Sequence, residues 1–237
     1  MTLRIGTIAP SSNVVVEDVS ADVLAGLDGV RHHVARLPYA GAIPATGAPG
    51  YDLDAMRQAA RLLADAKVDV LLWNGSKGGS IGFEHDEALC AALTAETGLP
   101  AVTSGLAVLE LFARAGVRRF GLVTPYVPAK NAEVVRCFAA RGYECVAEAG
   151  AGESDNYAFS TVGADRVESM LRTVAAERPD AIVPFCTNLD AAAVAARLEP
   201  ELGIPVVDSV LAGLWSALRT AGYDAGRITG WGRMFAL

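Results

Sequence analysis

A chain of 237 residues, 52% hydrophobic and 20% charged, has apolar material for one large α/β domain or two small ones, and too much for a disordered polymer. Its formal net charge of −7 leaves no electrostatic footprint for nucleic acid, and no basic cluster marks a membrane surface. An anionic ligand would need local positive potential from backbone amides or helix N-termini.

The opening "MTLRIGTIAP" enters a strand directly, so no signal peptide is expected. Apolar runs are strand-sized, so no transmembrane helix is expected. In chain order, strands are expected near 3–9, 31–37, 68–73, 100–103, 118–123, 143–147, 180–185 and 204–207. Helices are expected near 13–26, 53–66, 84–96, 105–115, 129–141, 163–177, 189–198 and 209–222. This alternation implies βαβ units and mainly parallel sheets. The strands are apolar throughout, as when helices cover both faces.

The two halves match in order. "RIGTIAP" (4–10) pairs with "RFGLVTP" (119–125) at an offset of 115, and "VDVLLWNG" (68–75) with "PDAIVPFC" (179–186) at 111. "GLPAVTSGLAVLELFARAG" (98–116) pairs with "GIPVVDSVLAGLWSALRTAG" (203–222) at 105. The falling offset is what shorter loops produce. The fold class is therefore α/β, with two pseudo-symmetric doubly wound lobes and an active site in the cleft between them. Residues 1–115 form the first lobe and 116–209 the second, with the segment from about 210 to 237 packing back on the first.

Ligands of open parallel sheets bind beyond the carboxyl ends of the strands. Pro10-Ser11-Ser12-Asn13, Gly75-Ser76, Thr103-Ser104, Thr124-Pro125-Tyr126, Cys186-Thr187-Asn188 and Asp208-Ser209 all fall there. Two facing lobes would put Gly75 and Cys186 on opposite sides of one ligand.

Cys186 stands at a strand end just before an expected helix, which should lower its pKa from about 8.5 and poise it for proton transfer. The other cysteines, Cys90, Cys137 and Cys145, read as structural. The spacing of the four fits neither a zinc site nor a disulfide framework, so reduced thiols and a cytoplasmic location are expected. Gly75-Ser76 and Thr187-Asn188 offer successive backbone N–H groups that could hold a carboxylate and its enediolate; Ser and Thr could equally cap helices. Tyr126 could reach the cleft with its hydroxyl or serve as an aromatic lid. Asn13 could cap the following helix, and Asn156 could be an ordinary turn residue. Lys77 could neutralise a second carboxylate or point into solvent. His32, His33 and His85 lack metal-ligand spacing, and "GSKGGSIG" is no nucleotide fingerprint, so neither metal nor cofactor is expected. The Pro- and Gly-rich segment 37–54 reads as a loop over the cleft that sets specificity.

"PSSNVVVE" (10–17), "TPYVPAKN" (124–131), "ESDNYAFS" (153–160) and "FCTNLDA" (185–191) together resemble the aspartate/glutamate racemase superfamily. The branch they resemble contains maleate cis-trans isomerase and arylmalonate decarboxylase. Two-base members place one cysteine in each lobe. The resemblance makes Cys186 the second-lobe cysteine and Asn13, Tyr126 and Asn156 ligands of a substrate carboxylate. Gly75 holds the place of the first-lobe cysteine, a departure that arylmalonate decarboxylase shares. Asn13 and Asn156 instead resemble the isomerase's polar grip on a diacid.

Two-base racemisation needs an acid and a base on opposite faces, whereas decarboxylation needs one proton donor. The sequence therefore points to cofactor-free chemistry on a small carboxylate through an enediolate. A decarboxylase of a substituted malonate, with Cys186 as acid, is the leading form. An isomerase or racemase using Cys186 as nucleophile or base is one alternative, and a carboxylate-binding protein without turnover is another. The only partner expected is the small carboxylate; a homo-oligomer is compatible with the sequence.

Overall fold

The structure, a computed structural model, describes residues 2–39, 41, 42, 44 and 50–236. Strands β1 (Leu3–Pro10), β2 (Val30–Leu37), β3 (Val70–Trp73) and β4 (Ala101–Thr103) form one sheet in the order β2-β1-β3-β4. Strands β5 (Arg119–Tyr126), β6 (Glu144–Glu153) and β7 (Ala181–Pro184) form a second, in the order β6-β5-β7. All pairings within the two sheets are parallel. The helices are α1 (Val15–Leu24), α2 (Leu53–Asp65), α3 (Gly78–Ile81), α4 (Phe83–Thr97), α5 (Ser104–Ala115), α6 (Pro128–Ala139), α7 (Ala164–Ala175), α8 (Ala192–Leu202) and α9 (Ser209–Thr220). Among the described residues, no helix is long and apolar enough to cross a membrane.

The internal repeat is visible in the hydrogen bonds. Leu71 N–H donates to Pro100 O, and Ile182 N–H to Pro205 O, each at 2.9 Å. The strand expected at 204–207 is nevertheless reduced to a single bridge between Ile182 and Val206. Pro205 has no N–H to give. The Val206 N–H is diverted to the carboxylate of buried Glu199 at 3.0 Å.

β3 and β7 are buried along their whole length, which accounts for their unbroken apolar sequences. Phe138 and Phe185 from the second half meet Phe83 from the first, with centroids 5.1 Å apart for Phe83–Phe138 and for Phe138–Phe185. Each ring, fully or almost fully buried, contributes about 2–3 kcal/mol by leaving water. Gly79 is required beneath this cluster, because a Cβ there would run into the Phe185 ring. Helix α9 packs against α1, α5, β3 and β4 of the first sheet. Its Gly213 allows that approach, since an added Cβ would lie 2.6 Å from Ser104 Oγ.

Candidate active site

The carboxyl ends of β1, β3, β5 and β7 face one cavity of about 50 Å³, room for a handful of waters. Asn13, Gly75, Ser76, Tyr126, Asn156, Cys186, Thr187 and Asn188 all line it.

Cys186 follows β7 and is 3% exposed. Burial pushes its thiol up to about 11; the Tyr126 hydroxyl and the N–H groups of Asn188 and Leu189 pull the other way, and Asp208 adds to the rise. The lowered pKa expected from the sequence is thus corrected. Helix α8 starts only at Ala192, so the helix that follows β7 does not begin at the sulfur, and desolvation outweighs the hydrogen bonds that favour the thiolate. At neutral pH the sulfur carries its proton.

Tyr126 ends β5 and is itself buried, with its hydroxyl 3.2 Å from Ser76 Oγ. It also hydrogen-bonds the Cys186 thiol. Its ring meets Phe159 edge-on at 5.1 Å. One side chain therefore both presents a donor to the cavity and closes it.

The asparagines are tied into the fold. Asn13 Oδ1 accepts from Val16 N–H at 3.0 Å, while its Nδ2 donates to Thr187 O at 3.0 Å and Thr187 Oγ1 at 3.2 Å. Asn188 Oδ1 accepts from Val14 N–H and Val15 N–H at 3.0 and 3.4 Å, so a residue following β7 caps a helix of the first half. Asn188 Nδ2 donates to Asn156 O, and Asn156 Nδ2 donates to Ser12 Oγ at 2.6 Å. The amide groups of Asn13 and Asn188 staple the two halves while lining the cavity. Thr187 Oγ1 donates to Asn74 O at 3.2 Å, so its hydroxyl is engaged too. Among the described residues, no acceptor takes the backbone N–H of Ser76 or Thr187.

The cavity also contains residues that the sequence alone did not single out: Tyr39, Trp73, Lys130, Val134 and Phe159. Trp73 matters most. A Cβ on Gly75 would lie 2.9 Å from Trp73 Nε1 and closer still to Cε2 and Cζ2. The indole fills the space a first-half thiol would need. Trp73 is fixed in turn: its Nε1–H donates to Tyr51 OH at 3.2 Å, and Tyr51 donates to Asp86. Thr103 Oγ1 donates to the other Asp86 oxygen at 2.7 Å. Burial raises Asp86 to about 6 despite these donors. Period and spacing could not reveal this network, which joins residues 51, 73, 86 and 103 through the fold.

Lys77 lines the same cavity, with Nζ donating to Gly50 O at 2.8 Å. Of the 37–54 segment, residues 40, 43 and 45–49 lie outside the described residues. Among the described residues, no group of three or more His, Cys, Asp or Glu side chains could hold a metal ion.

A match to the arylmalonate decarboxylase family spans residues 41–235. The chain belongs to that family. It is 34% identical over 164 residues to arylmalonate decarboxylase from Bordetella bronchiseptica, covering 67% of this chain and 68% of that one. It is also 28% identical over 227 residues to maleate isomerase from Nocardia farcinica (strain IFM 10152), covering 92% and 89%. A crystal structure of arylmalonate decarboxylase, a glycine-to-cysteine and cysteine-to-serine double mutant in liganded form, superimposes with a TM-score of 0.87 at 26% identity, over 99% of each chain. The chain is accordingly an enzyme of this family, a decarboxylase or an isomerase.

Proposed function

We propose that this family member is a cofactor-independent decarboxylase of a substituted malonate, with Cys186 as the proton donor. The observation that carries the reading is the Gly75–Trp73 contact: in the cavity that holds the Cys186 thiol, the Trp73 indole takes the space a side chain on Gly75 would need. One-sided proton delivery suits decarboxylation and not two-base racemisation. The protonated state of Cys186 suits an acid and not a nucleophile.

The carboxylate that stays is held by the Ser76 and Thr187 N–H groups, with the Tyr126 and Ser76 hydroxyls beside them. The carboxylate that leaves faces the apolar side of the cavity, Val134 and Phe159. The bond to that carboxylate breaks, its electron pair passes into an enediolate, and CO₂ departs. The donors stabilise the enediolate more than the ground-state carboxylate, so they lower the barrier. Cys186 Sγ–H then gives its proton to the α-carbon, and the thiolate recovers a proton from solvent.

The isomerase reading has its own support in Asn13 and Asn156 beside the thiol and in the maleate isomerase likeness along 92% of the chain. Against it, both polar ends of the Asn13 amide are spent on Val16 and Thr187. The deciding experiment incubates the protein with a panel of alkyl- and arylmalonates and, separately, with maleate, and follows each by NMR. Monoacid and CO₂ from a malonate are expected. Fumarate from maleate with every malonate intact would instead identify an isomerase.

A further inference from the structure

The chain has three lysines, Lys67, Lys77 and Lys130, and two of them line the one small cavity that holds Cys186. Chance placement on a protein of net charge −7 would spread them over the surface. Lys130 is 4% exposed and ion-pairs with Glu133 at 2.9 Å, so its charge is matched within helix α6. Lys77 is different. Among the described residues it has no carboxylate at ion-pair distance. Its Nζ is held by Gly50 O and by the faces of Tyr39 and Tyr51, 5.3 and 5.5 Å from the ring centroids; with Trp73 and Lys77 these residues line an adjoining cavity of about 430 Å³, into which a substituent would reach. A half-buried ammonium without a counter-ion costs free energy unless a ligand supplies the charge. Burial, and then the charge of Lys130, hold Lys77 below the ordinary lysine range.

We infer that Lys77 is a specificity residue that recognises an anionic group on the substrate, so that the preferred malonate bears a carboxylate-carrying substituent rather than an aryl ring. The inference rests on the decarboxylase reading and extends it. Lys77 is unsuited to the departing carboxylate, because a cation there would stabilise the ground state and lose its partner as CO₂ forms. The retained carboxylate has its own amide and hydroxyl donors. The substituent is the part of the substrate left to meet the ammonium.

The test compares kcat/KM for carboxymethylmalonate and phenylmalonate in the wild type, Lys77→Met and Lys77→Arg. It also measures calorimetric binding of propane-1,2,3-tricarboxylate, which cannot lose CO₂ by this route. The wild type should favour carboxymethylmalonate at least about tenfold, the scale of one charge-assisted hydrogen bond. Lys77→Met should erase that preference mainly through KM and weaken tricarboxylate binding about tenfold, and Lys77→Arg should recover part of both. If no malonate is turned over but the tricarboxylate binds through Lys77, the inference about Lys77 stands and the decarboxylase reading falls. If phenylmalonate is preferred, or Lys77→Met leaves both the ratio and the binding unchanged, the inference is overturned whether or not the protein is a decarboxylase.

Discussion

The Trp73 indole lies where a side chain on Gly75 would have to be, with Nε1 2.9 Å from the position of an added Cβ. The single thiol of the cavity is thus a consequence of packing as well as of sequence. Restoring a cysteine at this position requires moving an indole that Tyr51 and Asp86 hold in place.

Gly75→Ala should destabilise the protein by about 1–3 kcal/mol through overpacking, read as a lower urea midpoint at unchanged slope. Adding Trp73→Leu should recover part of that loss. Gly75→Cys alone should not racemise a 2-substituted monoacid, whereas Trp73→Leu with Gly75→Cys should exchange its α-proton. An unaltered midpoint in Gly75→Ala would show that the indole moves freely.

The pH dependence of kcat separates acid from nucleophile. With Cys186 pushed up to about 11 by burial, the protonated form persists through neutrality. For an acid, kcat should stay level from pH 7 to 9 and fall only as the pH approaches 11. A thiolate mechanism would show a tenfold rise per pH unit over the same range. Tyr126→Phe removes a donor that lowers the thiol pKa, so the alkaline fall should move further up while kcat drops about tenfold or more.

Asp208 links stability to pH. Its Oδ1 accepts from Val210 N–H and Leu211 N–H and caps α9, while burial raises its carboxyl to about 7. A carboxyl raised in the folded state binds more protons folded than unfolded. Its contribution is therefore complete below the unfolded value near 4 and is lost as the pH rises through about 7. Asp208→Asn keeps a capping oxygen and cannot ionise. The variant should gain on the order of 2 kcal/mol on the wild type between pH 5 and 8, by chemical denaturation at each pH. A constant difference between the two across that range would rule out Asp208 as the titrating group.

Asn13 distinguishes a brace from a ligand. Asn13→Ala removes the bond to Val16 N–H and both bonds to Thr187, and should cost about 1–2 kcal/mol of stability. Asn13→Asp keeps the acceptor for Val16 but loses the donors, so it should recover only the capping share. Full stability in Asn13→Ala, with a large rise in KM, would make Asn13 a substrate ligand instead.

The architecture was legible because apolar runs, Gly/Pro punctuation and the internal repeat are local signals. The same repeat sets Gly75 and Cys186 in register along the sequence. The state of Cys186 was not legible, because it depends on where α8 begins and on how deeply β7 is buried. Trp73 reads in sequence as one more apolar strand residue. Only the fold shows its ring lying over Gly75, held by Tyr51 from a segment 22 residues away in the chain. Lys130 was inside a recognised motif, but its burial and its pairing with Glu133 are tertiary facts.

The most direct test is decarboxylation of a prochiral 2-methyl-substituted malonate in deuterated water, by wild type and Cys186→Ala, with product analysed by chiral chromatography and mass spectrometry. Delivery of the proton by Cys186 alone predicts one enantiomer carrying one deuterium at the α-carbon, and loss of at least about a thousandfold in kcat on removing the sulfur. A racemic product, or a Cys186→Ala protein that turns over at the wild-type rate, would contradict it.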